Sequence, residues 1–472
     1  MTTYSLLTDY AARSPEAKLL GENGSWMSTR QVLTAVTSTA AALQRFGAVP
    51  GDLIAVSSSQ TVQTALTLFA LNAMGAVAVL CDSRQKPEDC TAGMPIRFFI
   101  ANGICRENGD CHRLLDLTEL PEEALFQPWA DADAPAFLIF TSGSTGKQKA
   151  VVLSQSNLIW NMRDALPLGG YRAGDLALGV LPMTHVFGLV LLVGTVVAPY
   201  GLYLCPKWDP KFVLEAVQRE RLTRMNGVPS LFLSMAAHRA EYDLSSLKFG
   251  FIGGGPCTPE QFCQIEAALD MTLIPAYGMS ECISISIASW RDSQAMRASS
   301  VGKFYPHTRG AIVLEDGTLA AVGQEGEICA DSPTRMLGYW GEAPDCSALL
   351  HSGDLGWVDE AGFLHISGRK KDIIIRNGVN LMPRRIEEAL LSLPFVSAAV
   401  AVGIPDPVEG ELPCVMVVST EDAAVIQKAL APLLNKNELP ARLAVVASIP
   451  LTASGKPNRQ HIREVLMSWK MQ

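Results

Sequence analysis

The chain has no excess of positive charge, no long apolar run and no paired-cysteine motif, and each absence removes a class of function. Its 472 residues carry 38 Lys and Arg against 47 Asp and Glu, a net charge of −9. A protein that grips nucleic acid needs a basic face. Nucleic acid is therefore excluded as a main partner, and any cationic chemistry has to be local. The most apolar stretch runs for 13 residues, from Val186 to Ala198. A membrane-spanning helix needs about 20, so the stretch predicts a buried helix under a sheet and no transmembrane segment. The N-terminus, MTTYSLLTDYAARSPEAK, lacks the charged start and apolar core of a secretory signal. The 11 cysteines are scattered through apolar runs with no C-x-x-C pair, and the 7 histidines fall at no metal-ligand spacing. Reduced thiols in a cytoplasmic protein fit this usage. No internal repeat or low-complexity tract is present.

What remains is a globular composition, 48% hydrophobic and 18% charged, in a chain too long for one ordinary domain. Its most informative segment is Phe137-Leu-Ile-Phe-Thr-Ser-Gly-Ser-Thr-Gly-Lys-Gln-Lys149, an apolar strand that runs into a loop of hydroxyls, glycines and lysines. Gly143 and Gly146 let backbone N–H groups turn toward an anion. Thr141, Ser142, Ser144 and Thr145 add hydroxyl donors, and Lys147 and Lys149 add charge. The spacing of the glycines is not that of a Walker A loop. Ala150–Leu153 reads as a second strand, so the loop is expected at a hairpin tip.

Alternation of helix and strand runs through the first 300 residues. Residues 28–46 predict a helix with Ser28 as N-cap, Gln31 at N3 and Gly47 beyond its end. Leu53–Val56, Thr61–Met74 and Ala76–Leu80 form a βαβ unit, followed by a strand at Ile96–Ile100. Ser154–Ala165 reads as a helix and Leu176–Leu181 as a strand. Lys248–Ile252 is a strand leading into Gly253-Gly254-Gly255, and a helix follows with Thr258 as N-cap and Pro259 at N1. This order implies layered, mostly parallel sheets. Near residue 300 the pattern changes to short strands between Gly/Asp turns (Gly310–Leu314, Gly326–Ala330, Gly362–Ile366), a small β subdomain. A charged hinge, Gly368–Asp372, precedes about a hundred residues of mixed β/α pattern that could fold as a second domain.

Several further motifs fall in a fixed order: Pro182-Met-Thr-His185-Val-Phe-Gly188, Gly253-Gly254-Gly255-Pro256, Tyr277-Gly278-Met279-Ser280-Glu281, Ser352-Gly353-Asp354, Gly368-Arg369, Asn377-Gly378-Val379-Asn380 and Ser454-Gly455-Lys456-Pro457. With the phosphate loop they resemble the adenylate-forming superfamily, in its acyl- and aryl-CoA synthetase branch, from about residue 10 to 465. The resemblance implies an α/β protein. Residues 1–369 would form a large N-terminal domain of layered sheets with a β-barrel-like subdomain, and 370–472 a small, mobile α+β domain. It implies ATP and Mg²⁺ as cofactors and coenzyme A, or the phosphopantetheine of a carrier protein, as acceptor.

The chemistry implied is attack of a carboxylate on the α-phosphorus of ATP, two anions whose repulsion the site must offset. By resemblance, the loop from Thr141 to Lys149, with Thr141 to Lys147 as its binding residues, cradles the phosphates and Glu281 holds Mg²⁺. Ser280 stands where relatives carry threonine and keeps the hydroxyl. Tyr277 and Gly278 lie at the adenine, with the Gly253–Gly255 backbone close by. Asp354 takes the ribose hydroxyls, Arg369 reaches ribose or phosphate, and Lys456 is the electrostatic catalyst of adenylation. Taken one at a time, these residues have plainer readings: a surface acid at Glu281, a packed ring at Tyr277, a turn aspartate at Asp354 and exposed cations at Arg369 and Lys456.

The small domain is expected to swing about Lys371, delivering Lys456 in one pose and the Gly378 turn, along which a pantetheine arm passes, in the other. His185 stands near the point where amino-acid-activating relatives carry an aspartate. It would line the meeting point of carboxylate and thiol, with a buried core histidine as the other reading. Met183, Val186, Phe187, Val228, Gly253, Cys282 and Ile283 are the expected acyl pocket, apolar enough for a fatty or aryl acid. The leading expectation is an ATP-dependent acid–thiol ligase that makes an acyl-CoA. Loading of a separate acyl carrier protein is the alternative, and a non-catalytic adenylate binder is a remote one, since Lys456 and Glu281 are both present.

Overall fold

The computed structural model describes residues 1–120, 125–141, 149–343, 347–451 and 457–468. Capping chemistry starts the helices where the sequence places them. Ser28 and Gln31 close a reciprocal capping box on Thr29–Phe46, and Gly47 ends that helix in the left-handed conformation. Thr61 caps Val62–Met74, and Thr258 with Gln261 boxes the start of Pro259–Leu269. These helices pack with two large sheets around one apolar core. Ile54, Val56, Ala78 and Leu80 of one sheet share that core with Leu20, Leu178 and Leu202 of the other and with Leu68, Leu158 and Leu189 from the helices. Side chains alternate along a strand, so Leu53, Ala55, Val77 and Val79 point to the opposite face, where they form a second cluster.

Each large sheet is parallel at its centre and antiparallel at its flanks. In the eight-stranded sheet, Pro135–Thr141, Val77–Asp82, Leu53–Ser58 and Ile96–Ala101 run parallel, and hairpins extend both sides. In the nine-stranded sheet the parallel run extends from Lys18–Glu22 to Thr272–Met279, and Ser25–Ser28 and Cys282–Ile287 add antiparallel edges. Ser25–Ser28, Ile104–Glu107 and Cys282–Ile287 each follow a neighbouring strand after a two-residue loop, too short for a crossover, and so pair antiparallel.

The helix Val186–Val197 is buried on nearly every side, which accounts for its apolar composition without a membrane. Among the described residues no helix is long and apolar enough to cross one. The strand expected at Leu176–Leu181 stops at Gly179. The buried Gln60 side chain ends it, donating to Gly179 O (3.3 Å) and accepting from Met183 N–H (3.0 Å).

The small β region is a four-stranded antiparallel sheet of Arg309–Val313, Gly326–Asp331, Leu350–Val358 and Leu364–Arg369. A single 3₁₀ turn, Lys370–Asp372, leads from it to a five-stranded sheet that holds Ile374–Arg376, Val379–Leu381, Val396–Asp406, Gly410–Ser419 and Arg442–Val445. Helices cover both faces of that sheet. Ile386 and Ile426 pack on Val415 and Val417, while Ile462 and Leu466 pack on Val402 and Met416.

Candidate active site

The site residues sit in strands, at a bulge and on the turns that join strands. Pro135–Thr141 and Lys149–Ser154 pair antiparallel with Thr141 opposite Lys149. The phosphate segment is therefore rooted in a hairpin, and Thr141 Oγ1 donates to Lys149 O at 3.5 Å. Its tip, with Ser142, Gly143, Ser144, Thr145, Gly146 and Lys147, lies outside the described residues, as does Lys456. Lys149 Nζ is 3.0 Å from Glu342 Oε1 and 4.3 Å above the ring centroid of Tyr339.

Tyr277 and Glu281 belong to one hairpin, the first near the end of a strand and the second at the tip. Thr272–Met279 turns through Ser280 and Glu281 into Cys282–Ile287, with Met279 opposite Cys282. A methyl group at Gly278 would lie 1.9 Å from Ile283 O, and one at Gly253 would lie 2.5 Å from Ala276 O. Both glycines are thus demanded by backbone crossing backbone. At Gly254 the backbone has φ +76°, and Gly255 faces Pro229 at 3.6 Å. Phe187 reaches to 3.9 Å from the Gly253 position, which ties the His185 turn to this loop.

Asp354 lies in a β-bulge. Opposite Glu327 and Cys329 stand Leu355 and His351, so extra residues are accommodated around Gly353, whose φ is +73°. The bulge bends the strand and aims Asp354 inward. The carboxylate is 6% exposed. It accepts from the Tyr277 hydroxyl at 2.7 Å and faces Arg369 Nε at 2.9 Å across the strand pair. Burial holds the Tyr277 phenol well above its ordinary pKa, and the charge of Asp354 pushes the same way, so the hydroxyl remains a donor.

His185 caps the helix Val186–Val197, its Nδ1 accepting from Phe187 N–H at 3.2 Å. An accepting Nδ1 carries no proton, which leaves Nε2–H as the donor of the neutral ring. Glu281 Oε1 accepts from the Tyr339 hydroxyl at 2.8 Å. A half-buried carboxylate at a hairpin tip offers hard oxygen, the donor that Mg²⁺ favours.

Contacts therefore connect His185, Phe187, Gly253, Tyr277, Asp354 and Arg369 in one path, and Glu281, Tyr339 and Lys149 in a second path from the same hairpin. Gly378 is joined to neither. It forms a tight turn with Asn377 (φ +52° and +75°) between Arg376 and Val379, the left-handed pair that two-residue hairpins favour. Glu409 anchors that turn through Arg376 and Asn377. Burial pushes the thiol of Cys257, just beyond the glycine loop, up to about 12.

One expected pocket residue is displaced. Cys282 packs with Ile285, Ile312 and Ile328 in the core under the four-stranded sheet, whereas its neighbour Ile283 joins the main core. The two side chains therefore enter different cores. Gln60, Tyr339 and Glu409 had no sequence signal as single residues. Each acts through a partner 30 or more positions away.

The profile of the AMP-binding enzyme family matches residues 7–95 and 100–340, and that of the AMP-binding enzyme C-terminal domain matches residues 385–456. The chain belongs to this adenylate-forming family, and within it to the acyl- and aryl-CoA synthetase branch. It is 30% identical to a 2-succinylbenzoate–CoA ligase of Bacillus cereus (strain Q1), over 91% of this chain and 92% of that one. It is 27% identical to a long-chain-fatty-acid–CoA ligase of Bacillus subtilis (strain 168), over 98% and 94%. Its fold matches that of the O-succinylbenzoate coenzyme A synthetase of Bacillus subtilis, solved in complex with ATP and magnesium ion, with a TM-score of 0.86 at 24% identity, covering 98% and 99%.

Proposed function

We propose that this acyl-CoA synthetase activates a fatty or aryl carboxylate as its acyl-adenylate, with release of pyrophosphate, and then transfers the acyl group to coenzyme A. The observation that supports this most directly is the Tyr277–Asp354–Arg369 cluster, built on a buried carboxylate beside the glycine loop. A carboxylate offers about four acceptor sites, so Asp354 can hold Tyr277 and Arg369 and still take both ribose hydroxyls. Arg369, half in solvent, offsets the charge and keeps guanidinium N–H groups for the nucleotide.

In this reading Tyr277 packs against adenine, with the Gly253–Gly255 backbone alongside. The neutral His185 ring donates from Nε2 to the incoming carboxylate and orients one oxygen toward the α-phosphorus. The Ser142–Lys147 loop takes the leaving pyrophosphate, and Lys456 neutralises charge that builds on the reacting oxygens. Glu281 fits Mg²⁺, which when bound screens the phosphate charges. Residues 1–369 form the fixed domain and 370–472 the moving one. Rotation at Lys371 in the 3₁₀ turn then withdraws Lys456 and brings the Gly378 turn to the thiol, which attacks the acyl carbon and displaces AMP.

ATP–pyrophosphate exchange across a panel of fatty and aryl acids tests the first half-reaction. Exchange with at least one acid is expected, and exchange with none returns the chain to an adenylate binder. AMP release with coenzyme A alone, set against release with a holo carrier protein, tests the acceptor.

A further inference from the structure

Residues Thr334–Trp340 form a strap between two parts of the site that are distant in sequence. One end is bonded to the hairpin that carries Glu281. Ile283 N–H donates to Thr334 O (3.3 Å), Met336 N–H donates to Glu281 O (2.9 Å), and Cys282 bridges Arg335. The other end is bonded to the second strand of the phosphate hairpin, through Leu337 N–H to Val152 O (2.9 Å) and Trp340 N–H to Ala150 O (2.8 Å). Tyr339 sits where the two ends meet. Its hydroxyl donates to Glu281 Oε1 at 2.8 Å, its ring lies 4.3 Å under the Lys149 ammonium, and Glu342 holds that ammonium at 3.0 Å.

We propose that Tyr339 is a positioning residue for the metal-binding carboxylate, fixing Glu281 and tying it to the base of the phosphate loop. The inference rests on the reading of Glu281 as the Mg²⁺ ligand. A carboxylate at a two-residue hairpin tip can rotate about its side-chain bonds. A hydrogen bond to Oε1 restrains it and leaves Oε2 to face a cation. The donor is a neutral phenol, so it orients the oxygen without cancelling the charge that attracts the metal, as a lysine or arginine there would. The Tyr339 ring meanwhile attracts Lys149 through its face. One side chain therefore sets the spacing between an acid that recruits a divalent ion and a base that follows the phosphate cradle. Partners of this kind, which hold a metal ligand without touching the metal, typically change affinity by about 10–100-fold when removed.

The variant Tyr339→Phe removes one oxygen and keeps the ring under Lys149. Calorimetric titration of the full chain with ATP, in Mg²⁺ and in excess EDTA, gives the readout. We expect ATP binding in EDTA to change less than about twofold, and the tightening produced by Mg²⁺ to shrink about 10-fold. General damage to the fold would weaken both titrations alike and overturn the inference. The Glu281→Gln variant separates the two levels. If it leaves the Mg²⁺ effect intact, Glu281 is not the ligand and the inference falls with that reading. If it abolishes the effect while Tyr339→Phe preserves it, the metal reading stands and the positioning role is lost. Tyr339→Phe placed on Glu281→Gln should add nothing; additive effects would show that the tyrosine acts elsewhere.

Discussion

Asp354 places a carboxylate where little water reaches it, and its surroundings make that tolerable. A phenol that stays protonated and a guanidinium across the strand pair both stabilise the anion. Hydrogen bonds to charged groups contribute about 1.5–3 kcal/mol each. Asp354→Asn keeps the volume but loses the charge that two ribose hydroxyls would use. The variant is predicted to raise the KM for ATP about 10- to 100-fold in pyrophosphate exchange. An unchanged KM would assign Asp354 to the sheet alone. In the proposed reaction Lys456 is a different kind of residue, called on in the transition state more than in binding. Lys456→Ala is predicted to slow exchange by about 10²–10³ or more with ATP affinity nearly intact. A loss confined to KM would deny it that role.

The hairpin from Thr272 to Ile287 is the element on which most of the site depends. It places Tyr277 in one strand and Glu281 at the tip, and its geometry has no room at Gly278, where a methyl group would meet Ile283 O at 1.9 Å. Backbone cannot yield as a flexible side chain would. Gly278→Ala should therefore lower stability by about 1–3 kcal/mol, seen as a lower midpoint in urea. It should also impair exchange beyond what the lost stability explains, because the turn that carries Glu281 must shift. A fully folded Gly278→Ala protein with normal exchange would show that the hairpin tip is not part of the site. Elements such as this were legible in part. The capping boxes at Ser28 and Thr258 and the βαβ unit at 53–80 are local, and they form as the sequence indicates. The bulge at Gly353 has no local signature, because its extra residues are defined only against Glu327 and Cys329 on another strand.

At the scale of the molecule, burial of titratable groups ties stability to pH. Burial lifts the thiols of Cys81, Cys105, Cys205, Cys257 and Cys282 to about 12, from an ordinary value of 9.0. The phenol of Tyr171 rises to about 12 for the same reason. Above pH 9 the unfolded chain gives up these protons while the folded chain keeps them. The unfolded state then binds fewer protons, and stability falls as pH rises. Urea midpoints measured under reducing conditions should thus decline steadily from about pH 9 toward 12. A flat profile across that interval would mean that the thiols are solvated in the folded protein.

The order of motifs, the alternating pattern and the caps were determined by the sequence itself, because each depends on residues within a few positions of one another. The family and its adenylate chemistry followed from that order. Only the tertiary structure decided which side of a strand faced the site, as Cys282 and Ile283 illustrate: alternation says that they diverge but not which of two cores each one enters. It alone brought Tyr339 onto Glu281, Gln60 onto the His185 turn and Glu409 under Gly378. Those contacts join loops and strand ends that lie 30 or more positions apart, and nothing in the chain's local spacing encodes which of them will be neighbours.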